Sequence, residues 1–88
     1  MSERIAVFPG SFDPITIGHV SIVERALPLF DRIIMAVGVN STKKYMFSLE
    51  QRLAWLNASF AGHKQVDVIT YEGLTADLCK KMHAHFIV

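Results

Sequence analysis

The chain has 88 residues, 51% hydrophobic and 19% charged, with five Gly and three Pro. That excludes a disordered or collagen-like chain and allows one domain with a modest core. Nine Lys+Arg against eight Asp+Glu leave a net charge of +1, too little for general attraction to nucleic acid or to an anionic membrane. The single cysteine, Cys79, excludes a disulfide framework and suits a reducing compartment.

After Met1-Ser2-Glu3-Arg4 the apolar run from Ile5 to Phe8 is too short for a signal-peptide core or a membrane span. The expectation is a cytoplasmic domain, and Asn57-Ala58-Ser59 is read as a chance glycosylation pattern. Ile5 to Phe8 reads as a buried strand ended by Pro9-Gly10. From Thr16, which can cap a helix, the period turns helical: Val20, Val23 and Leu27 share a face that Ile22 and Ala26 widen, and Pro28 ends it. Ile33 to Val39 is nearly all apolar, the mark of a strand covered on both sides. Ser48 and Gln51 fit a capping box, after which Leu49, Leu53, Leu56 and Phe60 trace a second helical stripe that closes at Gly62. Val66-Asp67-Val68-Ile69 reads as a third strand. Leu74, Leu78 and Met82 mark a third helix, and His85 to Val88 starts a fourth strand and stops. The order β-α-β-α-β-α-β predicts a Rossmann-like α/β fold, a parallel sheet with helices on both faces, interrupted in its fourth strand. Ligands of such sheets bind at the carboxyl ends of the strands, which directs attention to residues 9–19 and 40–47.

The first of these loops reads Pro9-Gly10-Ser11-Phe12-Asp13-Pro14-Ile15-Thr16-Ile17-Gly18-His19. It lacks the spacing of a dinucleotide fingerprint and the lysine of a P-loop. It does join a strand to a helix start through a glycine turn. Unpaired N–H groups at a helix N-terminus suit phosphate. Gly10 and Gly18 would let an anion approach the backbone. His19, in the first helical turn, can point a ring N–H at the same anion. Asp13 beside Pro14 reads as a turn former. His83, His85 and Cys79 fit no usual zinc spacing, so no protein-bound metal is expected. Trp55 and Phe60 read as core or subunit interface.

Gly10-Ser11-Phe12-Asp13-Pro14-x-Thr16-x-Gly18-His19 resembles the signature of nucleotidyltransferases with a (His/Thr)-x-Gly-His motif. Ser41-Thr42-Lys43-Lys44-x-Met46-Phe47-x-Leu49-Glu50-x-Arg52, and Gly73-Leu74 at the third helix, resemble the bacterial phosphopantetheine adenylyltransferase branch. The resemblance implies that residues 1–88 are the N-terminal half of a single nucleotidyltransferase domain. It implies adenylyl transfer from ATP to 4'-phosphopantetheine with Mg²⁺, giving dephospho-coenzyme A and pyrophosphate in coenzyme A biosynthesis, in a homo-oligomer of six.

Carried over position by position, the resemblance makes His19 and Lys43 catalytic. Ser11, Phe12, Gly18 and His19 would meet ATP, with Phe12 acting through its backbone. Ser11, Lys43 and Thr75 would meet the acceptor, and Thr16 would cap the helix. Thr75 could equally be a helix cap, and Lys44 an exposed neighbour of Lys43. Family members are nearly twice as long, and segments beyond Val88 supply further ATP contacts, so the 88 residues alone are expected to be inactive. Two other readings stay open: a sister enzyme with another acceptor, cytidylyl- or nicotinate-mononucleotide adenylyltransferase, and a non-catalytic nucleotide-binding domain of the same fold.

Overall fold

The computed structural model describes residues 3–40 and 44–88. Its elements are β1 (Ile5–Gly10), α1 (Ile17–Ala26), a 3-10 turn (Leu27–Leu29), β2 (Arg32–Gly38), α2 (Leu49–Ser59), β3 (Val66–Tyr71), α3 (Thr75–Lys81) and β4 (Phe86–Ile87). All neighbouring strands are parallel, in the order β3-β2-β1-β4. The chain moves outward from β1 to β2 to β3, then returns across the sheet to place β4 beside β1.

That reversal distributes the helices. Right-handed crossovers that run in one direction put their helices on one face, and the returning crossover uses the other. Accordingly Ile33, Met35 and Val37 of β2 pack with Val23 of α1 and with Leu56 and Phe60 from α2 and its end. Ile34 and Ala36 point the opposite way and pack with Leu78 of α3 and with Ala84. Successive strand residues alternate faces, so a strand buried on both must be apolar throughout. Residues 33–37 are indeed all buried.

Several boundaries differ from the sequence expectation. Pro9-Gly10 does not end the first strand: β1 continues to Gly10, with Pro9 opposite Ala36 and Gly10 opposite Val37. The hydrogen bonds explain why proline is tolerated. Val7 O accepts from Val88 N, so Val7 faces β4, and Pro9, two residues on, faces the same side. The donor that proline lacks therefore points away from β2, and the β1–β2 register is kept through Pro9 and Gly10.

Pro28 does not simply stop α1 but sits inside the 3-10 turn that extends it. Ile22 does not belong to the buried face of α1; it is 47% exposed. Leu74 is not part of the α3 stripe either: it is the N-cap of α3 and 70% exposed, which leaves Leu78 as the buried residue of that helix. At the start of α2 the Ser48 hydroxyl accepts the Gln51 N–H at 3.1 Å, one of the two bonds of a capping box.

Candidate active site

The carboxyl ends of β1, β2 and β3 surround an open cavity of about 550 Å³. Gly10 and Ser11 line it from β1, Gly38 to Asn40 from β2, Tyr71 to Gly73 from β3, and Tyr45 closes it from the second loop. The Tyr45 hydroxyl donates to Gly38 O at 3.3 Å. Ser11, the sequence candidate in this lining, has no hydrogen-bond partner for its hydroxyl among the described residues. A second concavity of about 760 Å³ adjoins along β3, where Leu49, Ile69, Leu78 and Met82 make an apolar wall.

Beside Ser11, α1 begins with a reciprocal cap. Thr16 Oγ1 accepts the His19 N–H at 3.2 Å, and His19 Nδ1 accepts the Thr16 N–H at 3.0 Å. A histidine thus takes the place that Glu or Gln holds in a capping box. Since Nδ1 is an acceptor, the proton of the neutral ring lies on Nε2. Thr16 therefore caps α1 as expected, and it also sets the tautomer of His19. The imidazole is gripped edge-on between Phe12 and Phe8, with centroids 5.2 and 5.9 Å away. Gly18 lies in the same first turn. A Cβ placed on it would meet nothing closer than Thr16 Oγ1 at 3.5 Å, so the chain itself does not require glycine there.

Phe12 is 4% exposed and belongs to the main core, while its backbone has φ +48°. This left-handed conformation is uncommon for a bulky residue. It is held by its ring, which packs on Phe8 at 5.3 Å and fills the space above Gly10. A Cβ on Gly10 would stand 3.2 Å from that ring. The Phe12 side chain thus gives a reason for glycine at position 10 that lies within the chain itself.

Two residues lock the first loop to the second. The Asp13 carboxylate accepts the Met46 N–H on Oδ2 and, at 2.8 Å on Oδ1, the Phe47 N–H. Asp13 is more than a turn former, because both its oxygens serve the other loop. In the reverse direction Arg52 of α2, 2% exposed, donates from Nη1 to Ser11 O at 2.9 Å and from Nε to Phe47 O at 3.1 Å. Its guanidinium lies 4.0 Å from the centroid of the Tyr45 ring, within cation–π range.

Thr75 is the first residue of α3 but not its cap. Its hydroxyl lies 3.1 Å from the Tyr71 hydroxyl, which puts it next to the cavity lining rather than in it. Lys43 lies outside the described residues, and Lys44 is exposed. Among the described residues no group of three or more His, Cys, Asp and Glu is placed to hold a metal ion. None of the described helices is long and apolar enough to cross a membrane.

Sequence reasoning assigned no role to Arg52, Tyr45 or Tyr71. One signal for Arg52 was present: it falls three residues after Leu49 and four before Leu56, on the apolar stripe, where a charge must find buried partners. Tyr45 and Tyr71 carry no such pattern.

The sequence pattern of the cytidylyltransferase-like family matches residues 7–88. The phosphopantetheine adenylyltransferase of Flavobacterium johnsoniae is 60% identical over 85 residues, covering 97% of this chain and 56% of that protein. The Leptospira biflexa phosphopantetheine adenylyltransferase is 48% identical over 86 residues, 98% of this chain and 54% of that one. The chain thus spans little more than half the length of these relatives. Among solved structures, the bifunctional NMN adenylyltransferase/ADP ribose pyrophosphatase of Francisella tularensis superposes with a TM-score of 0.58 at 22% identity, over 92% of this chain and 25% of that one. This last likeness concerns the fold.

Proposed function

Because the chain belongs to the cytidylyltransferase-like family, we propose that it forms the N-terminal half of a single nucleotidyltransferase domain whose whole protein is a phosphopantetheine adenylyltransferase. The reaction is adenylyl transfer from MgATP to 4'-phosphopantetheine, giving dephospho-coenzyme A and pyrophosphate. The relatives named phosphopantetheine adenylyltransferase, similar along nearly the whole chain, support the choice of acceptor.

In this reading an oxygen of the pantetheine phosphate attacks the α-phosphorus of ATP in line. The new P–O bond forms as the bond to the pyrophosphate oxygen breaks, and pyrophosphate leaves with that electron pair. The acceptor phosphate is already ionised near pH 7, so no general base is needed. What the site must supply is alignment of two anions and donors for the charge of the transition state. The observation that carries the reading is the Thr16–His19 cap, which occupies Nδ1 and leaves an Nε2 proton to donate at the N-terminus of α1.

Gly18 and His19 would hold the ATP phosphates with the help of the helix dipole. Ser11 would meet the phosphate at which the two substrates join, and Lys43 would bridge them. Phe12 would contribute its N–H, and Thr75 would face the pantetheine arm beside Tyr71. Asp13, the carboxylate of the first loop, has both oxygens engaged by N–H groups, and Glu72 is the carboxylate in the cavity lining. Mg²⁺ is proposed to enter with ATP as part of the substrate.

The whole protein is proposed to work in the cytoplasm as a homohexamer, which sedimentation of the whole protein tests. Residues 1–88, about half the relatives' length, are proposed to be inactive by themselves, and near-normal turnover by them would overturn that. The acceptor is tested by measuring pyrophosphate release from ATP and from CTP with 4'-phosphopantetheine, glycerol 3-phosphate and nicotinate mononucleotide. Turnover with 4'-phosphopantetheine and ATP alone is expected. Faster turnover with either other acceptor would overturn the assignment.

A further inference from the structure

Arg52 is the one buried charged residue among those described. A buried guanidinium is ordinarily paired with a carboxylate. Among the described residues Arg52 has no carboxylate partner. It is met by Ser11 O at 2.9 Å, Phe47 O at 3.1 Å, Ser48 O at 3.4 Å and the Tyr45 ring. These contacts engage Nε and Nη1 without cancelling the charge.

The carbonyl of Ser11 belongs to the same peptide unit as the N–H of Phe12. That peptide is trans; the cis peptide among the described residues is Asp13–Pro14. In a planar trans unit the C=O and N–H point in opposite directions. With the carbonyl turned toward Arg52, the Phe12 N–H turns away from it. This N–H has no acceptor among the described residues, although its side chain is buried. Backbone donors in such surroundings are nearly always paired. A cation hydrogen-bonded to the carbonyl also draws electron density out of the amide and makes its N–H a stronger donor. Ser11, the other half of the unit, lines the cavity and has an unpartnered hydroxyl.

We infer that Arg52 is a positioning residue of the phosphate site: it orients and polarises the Ser11–Phe12 peptide so that the Phe12 N–H, together with the Ser11 hydroxyl, receives a phosphate oxygen. Arg52 itself touches no substrate. The inference rests on the adenylyl-transfer reading for the identity of the anion, and on geometry alone for the donor.

The test uses the whole protein, with Arg52→Met and Arg52→Lys beside the wild type. Thermal melts, kcat for dephospho-coenzyme A formation, and the amide resonance of ¹⁵N-labelled Phe12 during titration with inorganic pyrophosphate are measured. Arg52→Met removes the donor from Ser11 O and Phe47 O and should melt earlier than wild type, but below its Tm it should also lose at least about 10-fold in kcat, approaching the effect of removing one preorganised donor. The KM for ATP should change far less, because α1 holds ATP by contacts that Arg52 does not make. The pyrophosphate-induced shift of Phe12 should shrink with it. Arg52→Lys, which keeps a cation but not the fork, should fall between the two.

If Arg52→Met does not fold, Arg52→Lys carries the same comparison. A folded variant with near-wild-type kcat and an undiminished Phe12 shift would overturn the inference. A variant that merely melts early, with normal kcat below its Tm, would overturn it as well. A wild type that binds pyrophosphate at Phe12 yet makes no dephospho-coenzyme A would defeat the functional reading, and the Phe12 shift would still decide the role of Arg52.

Discussion

His19→Gln separates the two jobs that one imidazole performs. The ring closes the cap of α1 through Nδ1, which accepts the Thr16 N–H, and it offers Nε2 to the phosphates. Glutamine is an ordinary partner for threonine in a capping box, so its Oε1 can take over the bond to Thr16 N. What the substitution removes is the rigid ring donor and its edge contacts with Phe8 and Phe12. Each such aromatic contact contributes about 0.5–1.5 kcal/mol, so Tm should fall by several degrees. Loss of one preorganised donor to a transition-state oxyanion costs about 10²–10³ in kcat, or about 2.7–4 kcal/mol. His19→Ala should match His19→Gln in kcat but melt earlier, since losing a cap costs a further 0.5–2 kcal/mol or so. The assay is pyrophosphate release at saturating substrates in the whole protein, beside thermal melts of all three forms. Near-wild-type kcat in His19→Gln, with stability lost only in His19→Ala, would show that the histidine is a cap and nothing more.

Asp13→Ala frees two N–H groups of the second loop; it should destabilise the protein by about 1–3 kcal/mol, read by denaturant titration, with Asp13→Asn intermediate because one oxygen remains. Gly10→Ala should cost about 1 kcal/mol or more, since the Phe12 ring 3.2 Å from the new methyl is held in the core and has little room to yield; an unchanged Tm would contradict the account of that glycine. Lys43→Ala should lower kcat/KM by roughly 2–4 kcal/mol of transition-state stabilisation while Lys44→Ala costs little, and equal effects in steady-state kinetics would mean that neither lysine is specific. Asp67→Ala breaks the exposed ion pair with Arg32 and should change stability by no more than about 1 kcal/mol by the same denaturant titration.

The order of elements was legible because each strand and helix here carries its own period. β2 is apolar on both faces, α2 has an apolar stripe broken by Arg52, and the Ser48 cap agrees with its start, whereas α2 ends at Ser59 and Gly62 does not take the left-handed conformation of a glycine cap. Strand and helix ends were less legible because they depend on neighbours. Whether Pro9 interrupts β1 depends on which side of the sheet its missing donor faces, and whether Leu74 joins α3 depends on a cap that turns it outward. At the site, Ser11 and His19 could be read from their motif. Arg52 and Asp13 stand in the same motifs, but their partners are backbone groups of another loop, 41 and 34 residues away in sequence. A motif names such residues without naming what they hold. The link between the two loops therefore became visible only with the fold.

The strand order has a consequence for the sequence of folding events. β1 pairs with β2 across 27 residues and β2 with β3 across 33, whereas β4 meets β1 across 80. Closing the longer loop costs about 1 kcal/mol more in chain entropy than closing the β1–β2 loop. The three-stranded sheet that presents Ser11 and Tyr71 should therefore assemble first, and the β1–β4 junction should form after it. In pulse-labelled hydrogen exchange during refolding, the amides that join β1 to β2 should gain protection before those that join β4 to β1.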